Sequence, residues 1–270
     1  MHRLYFFTFL SLLFCIGCEW HLKSGEQNTL EDEVVVERYD RIESLYLTTG
    51  DFSALQHMNT TYPQQTRTLI EDILQIGRVN EPEINTKFLR FFQDTTLQTL
   101  ITDVEQSYAN MDDVNQQLAA AFVRLSNLIP NLPLPEVYAQ ITSLDQSIVV
   151  GNGFLGISLD KYMGKDYPLY KKYGYSSGQR QSMTRSYIVP DCIGFYLLSL
   201  YPMPVDRELT QQERDQHIGK IQWTVNRAMS SPVFMSPYVR QIDSYMRQHK
   251  EVSVEDLLRN NDYASLYAVS

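Results

Sequence analysis

The sequence of 270 residues is poor in the residue types that build disulfide frameworks and metal sites, with three cysteines and five histidines. Cys15 and Cys18 lie close to the N-terminus, and Cys192 is the one cysteine in the rest of the chain. If a leader that contains Cys15 is removed and Cys18 is modified, no intramolecular disulfide can form. The protein must then be held together by its apolar core, and its length is sufficient for one.

The sequence also lacks the short motifs of the common hydrolases. It has no H-E-x-x-H, no two histidines three or four residues apart, and no G-x-S-x-G. The glycines of "GNGFLG", residues 151–156, have the wrong spacing for a phosphate-binding loop. Cys192 lies in an apolar stretch, where a thiol is expected to be unreactive. No cofactor is predicted, and a zinc site assembled across space from His217 and carboxylates stays open as an alternative.

Positive charge is scarce as well, because 23 Lys and Arg residues stand against 32 Asp and Glu residues, a net charge of −9. This balance argues against nucleic acid as a partner and against direct binding to anionic lipid surfaces. Beyond the N-terminus, no apolar run approaches the length that a membrane span needs.

The N-terminus, in contrast, has the pattern of a bacterial lipoprotein leader. Arg3 precedes an apolar stretch at residues 4–16, and Gly17 then precedes Cys18. We therefore predict a signal peptide over residues 1–17, lipidation of the Cys18 sulfur, and a polar tether over residues 18–32. Acyl chains such as palmitate would anchor the protein stably in a membrane. Cys15 stands where leucine is usual, and the alternative is a plain signal peptide.

Glu19 follows the predicted anchor, where aspartate would favour the inner membrane. The expected location is therefore the cell envelope, as an outer-membrane lipoprotein, and the side that it faces stays open.

The folded part, residues 33–270, is predicted to be an α+β domain dominated by helices, with a small sheet near residues 33–47 and 136–160. The stretch "VVVERYDRIESLYL" suggests a strand, and "SIVVGNGFLGISLD" suggests a hairpin around Gly-Asn-Gly. Pro63, the Thr210–Glu213 capping box, Ser236–Pro237 and Ser253 mark helix starts, with Ser253 opening the last helix. Two longer helices follow from apolar residues three and four apart: Leu97, Leu100, Ile101, Val104 and Tyr108, then Val114, Leu118, Ala121, Phe122, Leu125 and Leu128.

Three polar side chains in apolar surroundings are candidates for chemistry. Asp191 follows Pro190 and suits a first helical turn, but if the helix starts earlier we expect a buried carboxylate that pairs with Arg185 or Lys220. His217 lies four residues after Glu213, so a partly exposed ion pair is the simpler interpretation and catalysis the rarer one. Asp160 could join Asp191 as a carboxylate pair.

The segments "ISLDKYMGKDYPLYKKY" (157–173), "IVPDC" (188–192) and "HIGKIQW" (217–223) resemble the gliding-motility lipoprotein GldB family of Bacteroidota. The most specific block is Leu159, Asp160, Tyr162, Gly164 and Asp166, and Met163 stands where leucine is usual. The resemblance implies an envelope lipoprotein connected with gliding and type IX secretion, on a scaffold like that of zinc metallopeptidases but without the metal ligands. The helices of "IVPDCIGFY" and "HIGKIQW" would correspond to the helices that carry the metal ligands in catalytically active proteins with that scaffold.

The preferred hypothesis is a non-catalytic protein that binds envelope proteins, among them gliding or type IX secretion components. The predicted binding residues are Asp160, Tyr162, Gly164, Asp166, Asp191, His217, Gly219 and Lys220, around a peptide cleft next to the hairpin at 147–159. Two alternatives remain: a hydrolase that uses Asp160, Asp191 and His217, and a glycan- or surface-binding lipoprotein, suggested by the tyrosines.

Overall fold

A computed structural model describes residues 34–267. The predicted signal peptide, Cys18 and the tether lie outside the described residues. Within them the chain forms an α+β fold in which helices dominate and a small mixed sheet is present, which confirms the predicted fold class.

Residues 38–135 are mostly helical. The helices are α1 (Tyr39–Thr49), α2 (Phe52–Thr61), α3 (Pro63–Arg67), α4 (Ile84–Phe91), α5 (Thr95–Ser107) and α6 (Asp112–Leu128). Pro63 is at the start of α3, as predicted, and a π-helical stretch, Thr68–Ile73, continues that helix. Both stripes predicted from apolar spacing are confirmed, since α5 and α6 bury their apolar faces in the core.

The sheet has four strands in the order β1 (Val36–Glu37), β2 (Glu136–Gln140), β4 (Phe154–Ser158) and β3 (Ile148–Val150). β1, β2 and β4 are parallel, whereas β3 and β4 form the predicted antiparallel hairpin. Gln140 pairs with Ser158 at the carboxyl ends of β2 and β4. Because parallel strands end at the same edge, the segments that follow these two strands meet there.

The described residues that follow the sheet are mostly helical. The helices are α7 (Pro168–Lys172), α8 (Ser177–Arg180), α9 (Ile188–Leu200), α10 (Gln211–Met229), α11 (Pro237–Gln248), α12 (Val254–Arg259) and α13 (Tyr263–Tyr267). α9 packs on α6, α10 and the β3–β4 hairpin, and α10 also contacts α6, α11, α12 and α13. No helix within residues 34–267 combines the length and apolar character that crossing a bilayer requires.

The strand predicted over residues 33–47 is wrong. Strand structure is confined to Val36–Glu37, and α1 occupies the rest. The valine run at residues 34–36 is β-branched, but the buried residues Tyr39, Glu43, Tyr46 and Leu47 recur at helical spacing. That helical period outweighs the strand propensity of the valines.

Two other predicted helix starts are found in the structure. α9 begins at Ile188, two residues before Pro190, so the proline lies in the first turn, where its missing N–H leaves no helical hydrogen bond unmade. Ser253 does cap α12, by accepting from the Asp256 N–H, but α12 is not the last helix because α13 follows it.

Candidate functional site

We call Leu159, Asp160, Tyr162, Gly164 and Asp166 the family-like block. This block begins where β2 and β4 end. Asp160 is fully buried in a 3-10 turn, Leu159–Tyr162, that directly follows β4. Its Oδ1 accepts the N–H of Thr142 at 3.0 Å, and its Oδ2 accepts the N–H of Leu144 at 2.5 Å. Both carboxylate oxygens are therefore bonded to the loop that leaves β2.

That loop explains why a carboxylate is buried at this point. Ser143 and Leu144 have φ of 58° and 66°, a left-handed conformation that costs free energy for residues other than glycine. The two N–H groups converge on Asp160, whose carboxylate satisfies them and stabilises this backbone. Burial raises the pKa of Asp160, and these backbone N–H groups act in the opposite direction.

Asp191, in the first turn of α9, is the second acid of this region. Tyr162, which is buried, donates its hydroxyl to Asp191 Oδ2 at 2.8 Å. Burial raises the pKa of Asp191 to about 6, and the Tyr162 hydroxyl lowers it in part. The predicted partners of Asp191 are both wrong, because Arg185 pairs with Asp113 and Lys220 bonds elsewhere. We call Asp160, Tyr162 and Asp191 the acidic cluster.

The surrounding tyrosines bond mainly to backbone. Tyr170 is buried, donates to the Asp160 carbonyl at 2.7 Å and accepts the Met163 N–H at 2.8 Å. Tyr108 donates to the Tyr162 carbonyl at 2.6 Å. These hydroxyls hold the turn after β4 in place, so much of the tyrosine content of this region serves the fold.

The end of the family-like block is more accessible than its start. Gly164 is half-buried and has φ of 108°, a conformation that strongly favours glycine. The Asp166 side chain is 75% exposed, with Arg180 Nη1 at 4.0 Å from Oδ1. Asp166 is thus the predicted binding residue whose carboxylate faces solvent most openly.

His217 lies in a different region, on the buried face of α10. Its Nε2 is 2.9 Å from the carbonyl of Tyr201, and its Nδ1 is 3.1 Å from the hydroxyl of Tyr263. Since a carbonyl can only accept, Nε2 carries the proton and Nδ1 accepts from the tyrosine. Burial, with the nearby Lys220 charge, lowers the pKa of His217 to about 4. With both ring nitrogens bonded, the imidazole is neutral and not free to act as a base.

The predicted ion pair between His217 and Glu213 is wrong. Glu213 closes the predicted capping box with Thr210 at the start of α10 and pairs with Arg207 at 2.8 Å. The cap and the arginine hold this carboxylate at the exposed end of the helix, whereas the histidine turns towards the core.

Lys220 lies one turn further along α10 and is also fully buried. Its Nζ donates to the carbonyls of Leu258 at 3.2 Å and Asn260 at 2.5 Å, at the end of α12. Burial lowers the pKa of Lys220 to about 8. We call His217 and Lys220, with Tyr201 and Tyr263, the basic cluster.

Gly219 is also buried on α10, and its role is steric. A Cβ at this position would lie 2.6 Å from Cβ of Tyr238 in α11, closer than atoms can approach. Glycine therefore allows α10 and α11 to pack at short range.

Two buried acids of α1, Asp40 and Glu43, were missed by the sequence reasoning. Glu43 in α1 is fully buried, and its Oε2 accepts the N–H of Ile141, next to the loop that Asp160 binds, at 2.9 Å. Its Oε1 has no hydrogen-bond partner among residues 34–267, and burial raises its pKa well above the usual range. Reading residues 39–49 as a helix would have placed Glu43 on the buried face.

The structure therefore places Asp160 and Tyr162 in one turn, with Tyr162 bonded to Asp191, and places His217, Gly219 and Lys220 in a second region. Asp160, Asp191 and His217 each bond to different partners. Within residues 34–267, no group of three or more His, Cys, Asp or Glu side chains is arranged to hold a metal ion.

The sequence matches the family model of the gliding motility protein GldB over residues 23–230, which is well over half of the chain. The chain belongs to the GldB family. This is a family of gliding motility lipoproteins, which associates the chain with motility and with the cell envelope. The GldB match includes the acidic cluster and the buried face of α10, and it ends before α11. No curated protein and no solved structure matches the chain.

Proposed function

We propose that this protein is a non-catalytic lipoprotein of the outer membrane that acts by contact with other proteins, among them gliding motility or type IX secretion components. Its membership of the GldB family supports the association with gliding motility and the envelope. The contact mode and the lack of catalysis are inferred from how its polar side chains are used.

One observation carries the proposal: three buried ionisable side chains of the family-like segments, Asp160, His217 and Lys220, are bonded to other groups of the protein, mostly backbone. Asp160 accepts two N–H groups, Lys220 donates to two carbonyls, and His217 has both nitrogens bonded. A general acid or base needs a free lone pair or proton within reach of a substrate. These groups are instead used to hold loops and helix ends, as expected of a binding scaffold.

The metallopeptidase-like part of the resemblance fits this proposal. We infer that α9 and α10, which pack against each other, correspond to the helices that carry metal ligands in active look-alikes. At the matching segments this chain has Asp191 and Cys192 in α9, and Gly219 and Lys220 in α10. A buried ammonium group repels a cation, so Lys220 disfavours a metal in that region.

We further propose that six of the eight predicted binding residues divide into two groups. Asp160, Tyr162, His217, Gly219 and Lys220 are buried and shape the scaffold. Asp166, at the exposed end of the block, is positioned to contact a partner directly.

The anchor is tested by fractionating cells that express Cys18→Ala. We expect this variant to leave the membrane fraction, because acyl chains on Cys18 supply the attachment. Ser24→Ala, in the tether, is the matched control and should stay with membranes after a high-salt wash. Membrane retention of Cys18→Ala under the same wash would contradict the anchor.

The mode of action is tested by crosslinking in cells followed by pull-down of the lipoprotein. A contact role requires specific crosslinked envelope proteins that are absent from the Cys18→Ala strain. Metal analysis and peptidase assays of the purified protein test the rival hydrolase. Stoichiometric zinc together with activity abolished by His217→Ala would overturn the proposal.

A further inference from the structure

A cleft of about 960 Å³ lies on the side of the molecule formed by the C-terminal helices. Its walls are the end of α6, the second half of α10, the loop at residues 230–236 and the outer face of α11. The acidic and basic clusters are not part of it. Part of its lining, residues 231–247, also lies beyond the residues that match the family model.

The cleft is rich in arginine although the chain as a whole is acidic. Arg124, Arg227, Arg240 and Arg247 line it and are exposed, and Asp243 is the acid among its lining residues. Asp243 is already bonded, to Arg247 at 2.6 Å and to the Trp223 indole N–H at 3.1 Å. The net charge of the whole chain is −9, so this local excess of positive charge is a distinct feature.

Two of the arginines are held in place by the protein. Arg124 Nη1 donates to the Ala228 carbonyl at 3.0 Å, and Arg240 Nη1 donates to the Met235 carbonyl at 2.8 Å. A guanidinium has five N–H donors, so each of these contacts uses one of them. Pre-positioned arginines lose less conformational entropy when they bind a carboxylate, and their planar fork matches its two oxygens.

Apolar surface lies beside these charges. Met235 is 70% exposed, Phe234 is half-buried, and the Arg227 guanidinium lies 5.8 Å from the Trp223 ring. Tryptophan, methionine and arginine are the side chains enriched where proteins bind each other. The cleft therefore offers contacts both for carboxylates and for an apolar side chain.

We propose that this cleft binds an acidic peptide segment of a partner protein, one that carries at least one large apolar side chain. This inference rests on the proposed function and names the chemistry of the contact. A peptide fits better than an anionic membrane, because a single peptide segment can enter a concave site that the flat surface of a bilayer cannot follow.

The test measures binding of a short fluorescein-labelled peptide of glutamate and phenylalanine to the full-length, detergent-solubilised protein by fluorescence anisotropy. We expect a dissociation constant on the order of 10 µM at low salt, which rises with ionic strength. The same peptide with glutamine in place of glutamate should bind at least roughly tenfold more weakly. Equal binding of the two peptides would overturn the proposal.

Variants locate the binding site. The double substitution Arg124→Glu with Arg240→Glu should weaken peptide binding at least roughly tenfold, whereas Arg90→Glu in α4, an exposed arginine outside the cleft, should leave it unchanged. Arg240→Lys alone should weaken it less, because charge is kept and the planar fork is lost. Thermal melts confirm that each variant is folded, and equal effects of the cleft and control variants would refute the site.

Competition experiments distinguish an acidic peptide from other anionic ligands of the cleft. Inorganic phosphate at matched ionic strength and phosphatidylglycerol vesicles should displace the peptide poorly. Efficient displacement by either would show a simple anion or lipid site and overturn the proposal. A peptide of residues 19–33, which contains five acidic residues and Trp20, tests the protein's own tether as the occupant, and tighter binding of that peptide would also overturn it.

Failure of this inference is distinguishable from failure of the proposed function. If the cleft variants keep all crosslinked partners in cells, contact occurs elsewhere on the protein and only the cleft assignment fails. If no specific partner is crosslinked to any form, the contact role itself fails.

Discussion

The edge of the sheet and the C-terminal helices both bury ionisable side chains. The buried side chain is an acid, Asp160, in the first region and a base, Lys220, in the second. In the acidic cluster, Asp160 accepts N–H groups from a loop. In the basic cluster, Lys220 donates to carbonyls at a helix end. Backbone dipoles thus compensate charge in both regions without a buried ion pair between them.

The two regions differ in how they respond to pH. Burial raises the pKa of Asp191 and lowers that of His217, so in each case the neutral form is favoured by folding. Acidification therefore stabilises the first region and destabilises the second. Three predictions test this comparison.

The largest effect is expected from Asp160→Asn. The amide oxygen can accept one of the two backbone N–H groups, but the amide NH₂ would face the other donor. We expect a loss of about 3–4 kcal/mol in the free energy of unfolding at pH 7, measured by guanidinium denaturation. Asp166→Asn is the exposed control and should change it by less than about 0.5 kcal/mol. Similar values for both variants would mean that Asp160 does not hold the loop.

His217→Gln should remove most of the acid sensitivity of the basic cluster. The pKa of His217 in the folded protein is about 4, below that of a free histidine, so its contribution to stability is complete above pH 6.5 and is lost as the pH falls towards 4. We expect the wild type to lose about 3 kcal/mol more than the variant between pH 7 and pH 4. Unfolding curves at both pH values measure this, with the exposed His57→Gln as the control. Parallel losses in wild type and His217→Gln would refute it.

Asp191→Asn should give the smallest change, and in the opposite direction. The folded pKa of about 6 lies above that of a free aspartate, so its favourable contribution is complete below pH 3.9 and is lost as the pH rises through 6. The asparagine variant should be about 1–2 kcal/mol more stable than the wild type at pH 7 and no more stable at pH 4, because partial exposure reduces the burial cost. A variant that is destabilised equally at both pH values would show that the Tyr162 contact outweighs burial.

The regular elements were predictable where a single period dominates the sequence. Apolar spacing located α5 and α6, and Gly-Asn-Gly located the hairpin, because these signals are local. The segment at residues 34–49 misled the same reasoning, since three valines preceded a helix whose buried face includes the polar residues Asp40, Glu43 and Ser44. A buried acid in an apolar face weakens the helical pattern.

The partners of the candidate residues could not be predicted in the same way. Tyr162 meets Asp191 across 29 residues of sequence, and Lys220 meets Leu258 across 38. Such pairings depend on how the sheet and helices pack. The arginines of the cleft were missed for the same reason, because they are spread from residue 124 to residue 247 and become a cluster only in the folded protein.

The contacts of Lys220 also indicate how much of the chain must be present for the protein to fold. Its ammonium group donates hydrogen bonds to carbonyls some forty positions downstream, after the family match has ended. A chain truncated at residue 230 would keep the lysine but lose both acceptors, together with the helices that shield it from water. We therefore expect the smallest autonomous unit to be longer than the segment that the family model covers.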